Sequence, residues 1–481
     1  GGTGILTPDG DVYVGLGVRQ QNSPRGNVDT NTQDEGRIAW TQILSSNWQV
    51  KSQVSYQSIQ RYGSSAFPTT VNWNNQTMTY TLRKNNGFQQ SFDYQTDVSG
   101  SYQIGRFPMR TAFGYNLHDQ VGRSEFLVTT AASFPSAYTI TIPIGDAAAI
   151  NAIQLPPATD YIPGANGNPG SRTKQNVGNG YFMQTVEIIP NRLTLVGGLT
   201  YSNIETVTDT NLAVRNPFTG TDSVATQFLH RYGAVWTVTK SLSAYYSEST
   251  TFNPAVGVQY DNSPLPSVLG TSREVGIKTS LLDGKVSFSL AAYKMELTNQ
   301  AILAAYPALN VAGLNYYIPI GTTNSKGWDA SFSLNPIAGL QVVGTAYAGK
   351  VHDQNGNPIT ATVENSWSLF SRYDFNRGGP LKGLAIGGGA AKAGGKWFNM
   401  SGLVLPGGVA LPKNSSGNSL LKLKQDVMAN LFASYRLNRH WEFRVDCKNA
   451  LDKSYPIGAQ GVGLVDAAEP RSFSFTTTFR Y

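Results

Sequence analysis

The residues best suited to chemistry in this sequence are four histidines and one cysteine. Two of the histidines precede an aspartate, in His118-Asp119 and His352-Asp353, and imidazole beside carboxylate is a donor pair that can ligate a metal ion. Both pairs are predicted at the rim of the molecule, where we expect solvated histidines. We therefore assign no metal site and no cofactor.

No catalytic motif accompanies these residues. The sequence contains no Gly-x-Ser-x-Gly elbow and no glycine-rich phosphate loop, and nothing singles out a Ser–His pair for a hydrolase. The single cysteine, Cys447, excludes a disulfide framework, zinc ribbons and Cys-X-X-Cys redox chemistry. The net charge of +7 comes from Lys and Arg scattered along the chain, which does not favour nucleic-acid binding. We predict a protein that is not an enzyme.

Low charge and many aromatic residues point instead to a membrane. Charged residues make up 14% of the 481 residues, against about 25% in ordinary soluble chains, and there are 24 Tyr, 21 Phe and 8 Trp. No apolar run reaches the roughly 18 residues of a membrane helix. The remaining way to span lipid with every backbone group hydrogen-bonded is a closed β-barrel, whose alternating strands escape hydropathy scans.

Alternation of apolar and polar residues identifies individual strands. From Ser91 to Ile104, the apolar residues Phe92, Tyr94, Val98, Tyr102 and Ile104 alternate with Ser, Asp and Gln. This segment exceeds the usual globular strand of about five or six residues and suits a tilted strand that crosses a bilayer. From Trp441 to Lys448, apolar residues alternate with four charged ones, which places Cys447 towards lipid and the charges in a wet lumen.

The pattern also predicts details of the barrel. The final segment, Ser472 to Tyr481, alternates in the same way and ends the chain on an aromatic residue. Slips of phase near Ala291-Ala292 and within Val177–Ile189 predict either bulges or misplaced strand boundaries there. We expect interfacial aromatic girdles to include Tyr56, Tyr201, Trp236, Tyr435 and Trp441.

Long connections alternate with short turns throughout the chain, as in outer-membrane barrels, which have turns on the periplasmic side and loops outside. The long segments are Tyr62–Phe88, Asp119–Lys174, Glu205–Ala225, Thr251–Gly270, Asn299–Gly321, Val351–Val363, Lys392–Lys422 and Ala450–Pro470. The short turns are Ser45–Asn47, Gly105-Arg106, Pro190-Asn191, Thr239-Lys240, Leu282–Gly284, Asn335–Gly339, Asn376–Leu381 and Arg436–Arg439. We predict an all-β, transmembrane antiparallel β-barrel of the outer membrane with about eighteen strands visible.

On this topology, a functional surface would lie in the outside loops and the upper lumen. Aromatic side chains there give stacking area, and Arg or Lys attract anionic chelates. The alternative for each is a loop that packs on itself or an aromatic anchored in the lipopolysaccharide zone. The candidate ligand-binding residues are Arg61, Tyr62, Trp73, Tyr80, Arg83, Lys84, Tyr138, Tyr161, Tyr316, Tyr317, Trp397 and Phe398.

Several motifs in order resemble the TonB-dependent siderophore receptors of the outer membrane. A Glu-x-Gly-x-Lys strand runs into a short acidic-glycine turn, and a Lys-Gly-Trp-Asp hairpin follows. A stretch similar to Asn-Leu-Phe-Asp-Lys-x-Tyr and an aromatic terminus close the chain. These lie at Thr271–Gly284, Lys326–Leu340, Asn449–Tyr455 and Phe479–Tyr481, preceded by a strand running into a loop at Leu242–Pro254. The resemblance covers Gln227 to Tyr481, whereas earlier residues match only in the rhythm of strands and loops.

The resemblance implies a barrel of about 22 strands around an N-terminal plug domain. We therefore expect residues 1–481 to be the barrel domain, with the plug and the first strands not present in this sequence. It also implies TonB-dependent import of a ferric siderophore or similar scarce nutrient, with the TonB complex acting through the missing plug. The expected partners are outer-membrane lipid, lipopolysaccharide and the small ligand. The alternative is a passive substrate-selective porin of about 18 strands, and an extracellular adhesin is a third possibility.

Overall fold

Nearly all regular structure in this protein is β-strand. Within the described residues, the only helical elements are α1 (Ala147–Ala152) and one 3-10 turn at Pro406–Gly408, and no helix is long and apolar enough to cross a membrane. A computed structural model describes residues 3–4, 7–11, 24, 27–129, 139–155, 161–163, 170–209, 221–255, 259, 265–303, 317–375, 378–400, 402–414, 419–459 and 465–481. The predicted all-β class is confirmed.

Twenty-five strands cover these residues. They are β1 (Thr3–Gly4), β2 (Val28–Ile43), β3 (Trp48–Asn72), β4 (Thr77–Ile104), β5 (Phe107–Thr129), β6 (Thr139–Pro143), β7 (Tyr161–Pro163), β8 (Gly170–Ile189), β9 (Leu193–Asp209), β10 (Thr221–Thr239), β11 (Leu242–Asn253), β12 (Val268–Leu281), β13 (Val286–Leu303), β14 (Tyr317–Leu334), β15 (Leu340–Asp353), β16 (Asn365–Asp374), β17 (Leu384–Ala393), β18 (Trp397–Asn399), β19 (Leu403–Val404), β20 (Leu420–Lys422), β21 (Met428–Arg436), β22 (Trp441–Lys448), β23 (Pro456–Ala459), β24 (Val465–Ala467) and β25 (Ser472–Phe479).

The long strands form one continuous antiparallel barrel wall in chain order. In order, its strands are β2, β3, β4, β5, β8, β9, β10, β11, β12, β13, β14, β15, β16, β17, β21, β22 and β25. These are seventeen wall strands among the described residues, against about eighteen expected. Each predicted short turn is present to within a few residues. The turns share one end of the wall, the short-turn end, and the long connections share the other, the long-loop end.

The two outermost strands of the wall have one long neighbour each. Among the described ladders, β2 pairs only with β3 and β25 only with β22, so no ladder joins β2 to β25. Every residue of β2 is exposed, including Ile38 and Trp40 at 77% and 55%. Unpaired edge groups and exposed apolar side chains together are an opportunity for further strand pairing.

The wall has an apolar outer face and a polar lumen face. On the outer face, Leu199 and Phe228 of adjacent strands are 59% and 71% exposed. On the lumen face, the Tyr181 hydroxyl of β8 donates to Asp97 of β4 at 2.5 Å, across the intervening strand β5. Cys447 lies on the outer face opposite exposed apolar residues of both adjacent strands, as predicted. The expected girdle residues are all exposed: Tyr56, Tyr201, Trp236, Tyr435 and Trp441.

Two local predictions have different outcomes. The ladders on both sides of Ala291-Ala292 are continuous, so of the two alternatives the bulge is wrong there; the register shifts between Leu297 and Ile302 instead. The two adjacent alanines weaken the alternation of apolar and polar residues in the sequence, but they do not interrupt the strand pairing. The bulge predicted within Val177–Ile189 is confirmed, between Glu187 and Ile189.

The stretch that begins at Asn449 is a tightly hydrogen-bonded corner after β22. The Asn449 side chain is 1% exposed, and its amide nitrogen donates to the carbonyls of Lys453 at 2.8 Å and Glu469 at 2.7 Å. Its amide oxygen accepts from the Lys453 backbone at 3.0 Å. A short polar side chain in the left-handed region, at φ 46°, thereby fastens both ends of the loop.

Candidate ligand-binding surface

Segments far apart in sequence pack together over the long-loop end of the wall. The tip of the β3–β4 hairpin, the β6–α1 segment, the connection between β17 and β21 and the connection between β22 and β25 share one apolar cluster, the cap core. Its members are Ala66, Val71, Trp73, Met78, Tyr80, Leu82, Ile142, Ile150, Ile153, Met400, Leu423 and Val465. Backbone bonds reinforce it, because the Val71 amide donates to Gly402 at 3.0 Å and the Trp73 amide to Val404 at 2.9 Å.

Two predicted ligand contacts are members of this core. The Tyr80 side chain is fully buried and Trp73 is 9% exposed, so in this structure both rings pack against the cap rather than face solvent. The two residues were expected in a loop spanning Tyr62–Phe88, and that expectation is wrong. β3 and β4 continue as one hairpin to Asn72 and Thr77, with Trp73 in the turn. Above a membrane both faces of a strand meet solvent or loops, so no alternating pattern revealed the extension.

Ion pairs join the cap segments at their margins. The Lys422 ammonium lies 2.8 Å from Glu364, and this hydrogen bond holds the pKa of the Glu364 carboxyl below its usual value. Lys424 pairs with Asp9, near the chain's start, and lowers the pKa of that carboxyl in the same way. Gly10 completes this contact: its carbonyl accepts from the Lys424 amide at 2.8 Å, and at φ +83° a Cβ there would collide with a backbone carbonyl.

Trp397 and Phe398 of β18 form the edge of the cap. Both are half-buried, Phe398 packs against the cap core, and β18 pairs with β20. The Lys422 ammonium lies 5.6 Å from the centre of the Trp397 ring, a cation–π distance. An aromatic surface and a cation are thus adjacent at the long-loop end, beside the Glu364 carboxylate.

Arg61, Tyr62 and Lys84 lie together on the extended β3–β4 hairpin. The Lys84 ammonium lies 5.2 Å from the Tyr62 ring centre, and Arg61 forms an ion pair with Asp29 of β2 at 2.8 Å. Arg61 and Tyr62 contribute to an open groove of about 660 Å³, with Thr30, Phe88 and Arg123 among its lining residues. Tyr62 and Lys84 share the face of the hairpin that carries Tyr56 lower down, whereas Arg61 lies on the other face. Arg61 and Tyr62 are exposed and Lys84 is half-buried, and none of them belongs to the group of Trp397 and Phe398.

The other candidates are described in part or not at all. Arg83 pairs through its backbone with Ser65 and Val128, Tyr161 with Thr129, and Tyr317 with Leu303, while their side chains lie outside the described part of the structure. Tyr138 and Tyr316 lie outside the described residues altogether. The assignment of all these residues to ligand contact stays a prediction.

The histidine–aspartate pairs do not form the donor sets that their sequence suggested. The ring of His118 bonds Asp93 of β4 at 2.7 Å, while Asp119, the next residue along the strand, points to the opposite face. Asp353 instead accepts from the backbone amides of Asn355 and Asn357 in its own turn. Across the described residues, no three His, Cys, Asp or Glu side chains are grouped as a metal site.

The charged contacts of the cap were missed in the sequence. Lys422, Glu364, Lys424 and Asp9 are separated from their partners by up to several hundred residues, and no periodicity links them. The one available signal was compositional: charged residues are scarce here, and these stand in loops otherwise rich in Gly, Ser and Pro.

Comparisons with known proteins agree with this architecture. The family described as "TonB dependent receptor-like, beta-barrel" matches residues 2–450. The chain is 29% identical over 231 residues to the ferric-pyoverdine BN7/BN8 receptor of Pseudomonas putida, covering 47% of this chain and 25% of the relative. It is 26% identical over 275 residues to the ferripyoverdine receptor of Pseudomonas aeruginosa, covering 53% and 30%. The matched regions thus span about a quarter to a third of these curated relatives.

Solved structures show the same fold over the whole chain. The ferripyoverdine-bound receptor of Pseudomonas aeruginosa superposes with a TM-score of 0.78 at 18% identity, covering 100% of this chain and 60% of that one. The siderophore receptor PiuA of Acinetobacter baumannii gives 0.78 at 15% identity, covering 100% and 70%. Proteins of this kind are receptors of the Gram-negative outer membrane rather than enzymes. This chain is an outer-membrane protein and belongs to the TonB-dependent receptor-like β-barrel family.

Proposed function

We propose that this chain is the barrel wall of a receptor that takes up a ferric siderophore, or a similar metal chelate, by TonB-dependent active transport. The observation that carries the proposal is the family match over residues 2–450, since the curated relatives are named as receptors for ferric pyoverdines and metal-pseudopaline. Lipopolysaccharide and outer-membrane lipid would surround the wall, and the ligand would enter at the long-loop end.

The chemistry of the long-loop end supports a chelate as ligand. Ferric chelates built from catecholate or carboxylate groups are planar in part and often anionic, and they suit aromatic rings adjacent to cations. Trp397 with Lys422, and Tyr62 with Lys84, are two such pairs. We assign first contact with the chelate to Trp397 and Lys422, with Phe398 beside them. Tyr62 and Lys84 form a second pair on the outer face of the same end, and Arg61 lies on the opposite face of β3.

We also propose that a plug domain and further wall strands outside residues 1–481 complete the receptor, and that TonB acts through the plug. The support is the edge of β2, which has one neighbour and exposes Ile38 and Trp40. Sixteen exposed residues in an edge strand favour pairing with another strand. A passive porin, the alternative, is disfavoured by the family match.

Uptake by whole cells tests the proposal. Cells with and without the intact protein would be given iron-55 bound to purified pyoverdine or to a catecholate siderophore. We expect saturable binding in both energised and de-energised cells, and uptake only in energised cells with TonB. The intact protein in a planar bilayer should be nearly silent. Steady conductance, or uptake unaffected by loss of TonB, would support the porin and reject the receptor.

A substitution tests the site. Trp397→Ala removes the ring that faces Lys422. Loss of this stacking and cation–π contact should weaken the affinity for ferric pyoverdine, or for the catecholate chelate that the cells bind, about tenfold. Tyr56→Ala, which removes an exposed aromatic from the outer face, is the control and should leave binding unchanged. Equal affinities for both variants would mean that Trp397 does not contact the chelate, and the transport proposal would stand.

A further inference from the structure

Four basic residues stand side by side across four adjacent strands of the wall. Arg273 of β12 is directly opposite Lys294 of β13, Lys294 is opposite Lys326 of β14, and Lys326 is opposite Lys350 of β15. All four are exposed. We call them the basic row. At about 4.8 Å between strands, the row is about 14 Å long.

The basic row lies on the outer face of the wall. Residues two positions further along the same strands towards the short-turn end share its face, and they are apolar: Val275 at 57% exposure, Ala292, Trp328 at 43% and Ala348. The intervening residues face the lumen, where the hydroxyls of Tyr293 and Tyr347 meet at 2.8 Å. The row therefore borders the apolar outer surface and does not face the ligand path.

The height of the row places it at the outside boundary of the lipid. About eight to ten residues separate each member from its short turn, which is about 30 Å along a strand and about 22 Å along the barrel axis at a tilt of about 40°. The apolar band of such barrels is about 25 Å tall. The row thus lies near the upper edge of the band, where lipid head groups begin.

The row has an excess of positive charge that the protein does not neutralise. Arg273 is paired with Glu248 at 2.8 Å. Within the part of the chain that the structure describes, the three lysines form no ion pair, although like charges directly opposite on neighbouring strands destabilise a sheet. The nearby acids compensate little: Glu364 is bonded to Lys422, and the Lys350 charge is only a minor cause of its lowered pKa. Glu296, further up β13 on the same face, forms no ion pair with the row.

We propose that the basic row binds the phosphate groups of a phosphorylated glycolipid in the outer leaflet, the lipid-A part of lipopolysaccharide. Phosphates would relieve the repulsion among Lys294, Lys326 and Lys350. The apolar strip beneath them, with the Trp328 ring at its centre, would contact the acyl chains. A phosphorylated disaccharide on several acyl chains matches both parts of this surface, whereas a free anion uses only the lysines.

The test is binding of purified bis-phosphorylated lipid A to the intact protein in detergent, with chelator present to remove bridging divalent cations. The variant replaces Lys294, Lys326 and Lys350 with Gln. A basic residue near an anionic surface contributes about fivefold to affinity, so we expect about 100-fold weaker binding. The matched control replaces Lys240, Lys285 and Lys382 with Gln, which removes the same charge from exposed positions at the short-turn end and should change nothing.

Four further measurements keep the outcome interpretable. A variant with Arg in place of all three lysines should retain binding, because guanidinium also binds phosphate. Circular dichroism identifies any variant that has lost its β-sheet structure. Dephosphorylated lipid A should bind the original protein weakly, and inorganic phosphate should not compete at equal concentration. Equal affinity of the Gln variant and its control, full binding of dephosphorylated lipid, or competition by inorganic phosphate would each overturn the proposal.

Discussion

An arginine placed at Val98 tests the assignment of the outer face directly. Val98 lies on β4 opposite Val50 of β3 and Phe113 of β5, and Phe113 is 43% exposed. About six residues separate Val98 from Ile104 at the short-turn end, which is about 20 Å along the strand and about 15 Å along the barrel axis. In an apolar band about 25 Å tall, this position is near the middle of the bilayer.

The expected cost follows from that depth. Arg at the bilayer midplane on the lipid face of a barrel destabilises by about 2–4 kcal/mol, and this falls to about 0–1 kcal/mol near either interface. We therefore expect Val98→Arg to lower the free energy of unfolding by about 2–4 kcal/mol. The lumen-facing neighbour Gln95, exposed and bonded to Asp97 at 2.7 Å, is the matched site. Gln95→Arg keeps a donor for Asp97 and should change the free energy of unfolding by less than about 1 kcal/mol.

Guanidinium titration of the intact protein in phospholipid vesicles, followed by tryptophan fluorescence, measures both variants. A large loss for Gln95→Arg with a neutral Val98→Arg would mean that the two faces are assigned the wrong way round. Equal losses for the two variants would refute a wall with one face in lipid and the other in water.

Three further predictions concern the loops. Asn449→Ala removes three hydrogen bonds from a buried amide and should lower the free energy of unfolding by about 2–4 kcal/mol in the same titration; an unchanged midpoint would contradict the role of Asn449 as the fastening of its loop. Glu364 has a folded pKa below its usual 4.5 because Lys422 donates to it, so its stabilisation of the cap is complete above about pH 4.5 and is lost as the pH falls through the lowered pKa. Amide exchange of residues 419–424 should rise in that acid range and should lose this pH dependence in Glu364→Gln; an identical profile in both proteins would rule out the pair. Gly10→Ala puts a Cβ against the Lys422 carbonyl at positive φ and should weaken docking of residues 7–11 by about 1–3 kcal/mol, seen as faster proteolysis there, with Gly284→Ala, also at positive φ but with open space around it, as the steric control.

The wall could be predicted because its physics is local. Each strand contacts hydrocarbon with one face and water with the other. Successive residues must therefore alternate between apolar and polar, which gives the period of two in Ser91–Ile104 and Trp441–Lys448. The same argument explains the failure at Tyr62–Phe88. There β3 and β4 rise above the lipid, both faces meet polar surroundings, and the strands continue on backbone pairing alone.

The cap could not be predicted because its contacts are not local. Trp73 and Tyr80 were assigned to ligand contact as aromatic residues in a loop, yet they are buried against Met400 and Leu423 from a connection more than three hundred residues away. The pairing of Asp9 with Lys424 has the same character. Composition identified which residues could bind a chelate, but only the packing separates those inside the cap from Trp397 and Lys84, which keep contact with solvent.

The wall and the cap are held together by different interactions, and this difference determines which of them can open to let a ligand pass. Wall strands are held by continuous ladders, whose backbone groups have no alternative partner in lipid. The cap is held by an apolar core of modest size and by ion pairs such as Glu364–Lys422, whose side chains are 37% and 41% exposed, and an exposed pair contributes about 0–1 kcal/mol. Local opening follows the weakest contacts, so the cap should open at much lower free energy than the wall. On the proposed function, a chelate bound at Trp397 would move the cap segments while the parts of β3 and β4 that lie in the bilayer keep their register.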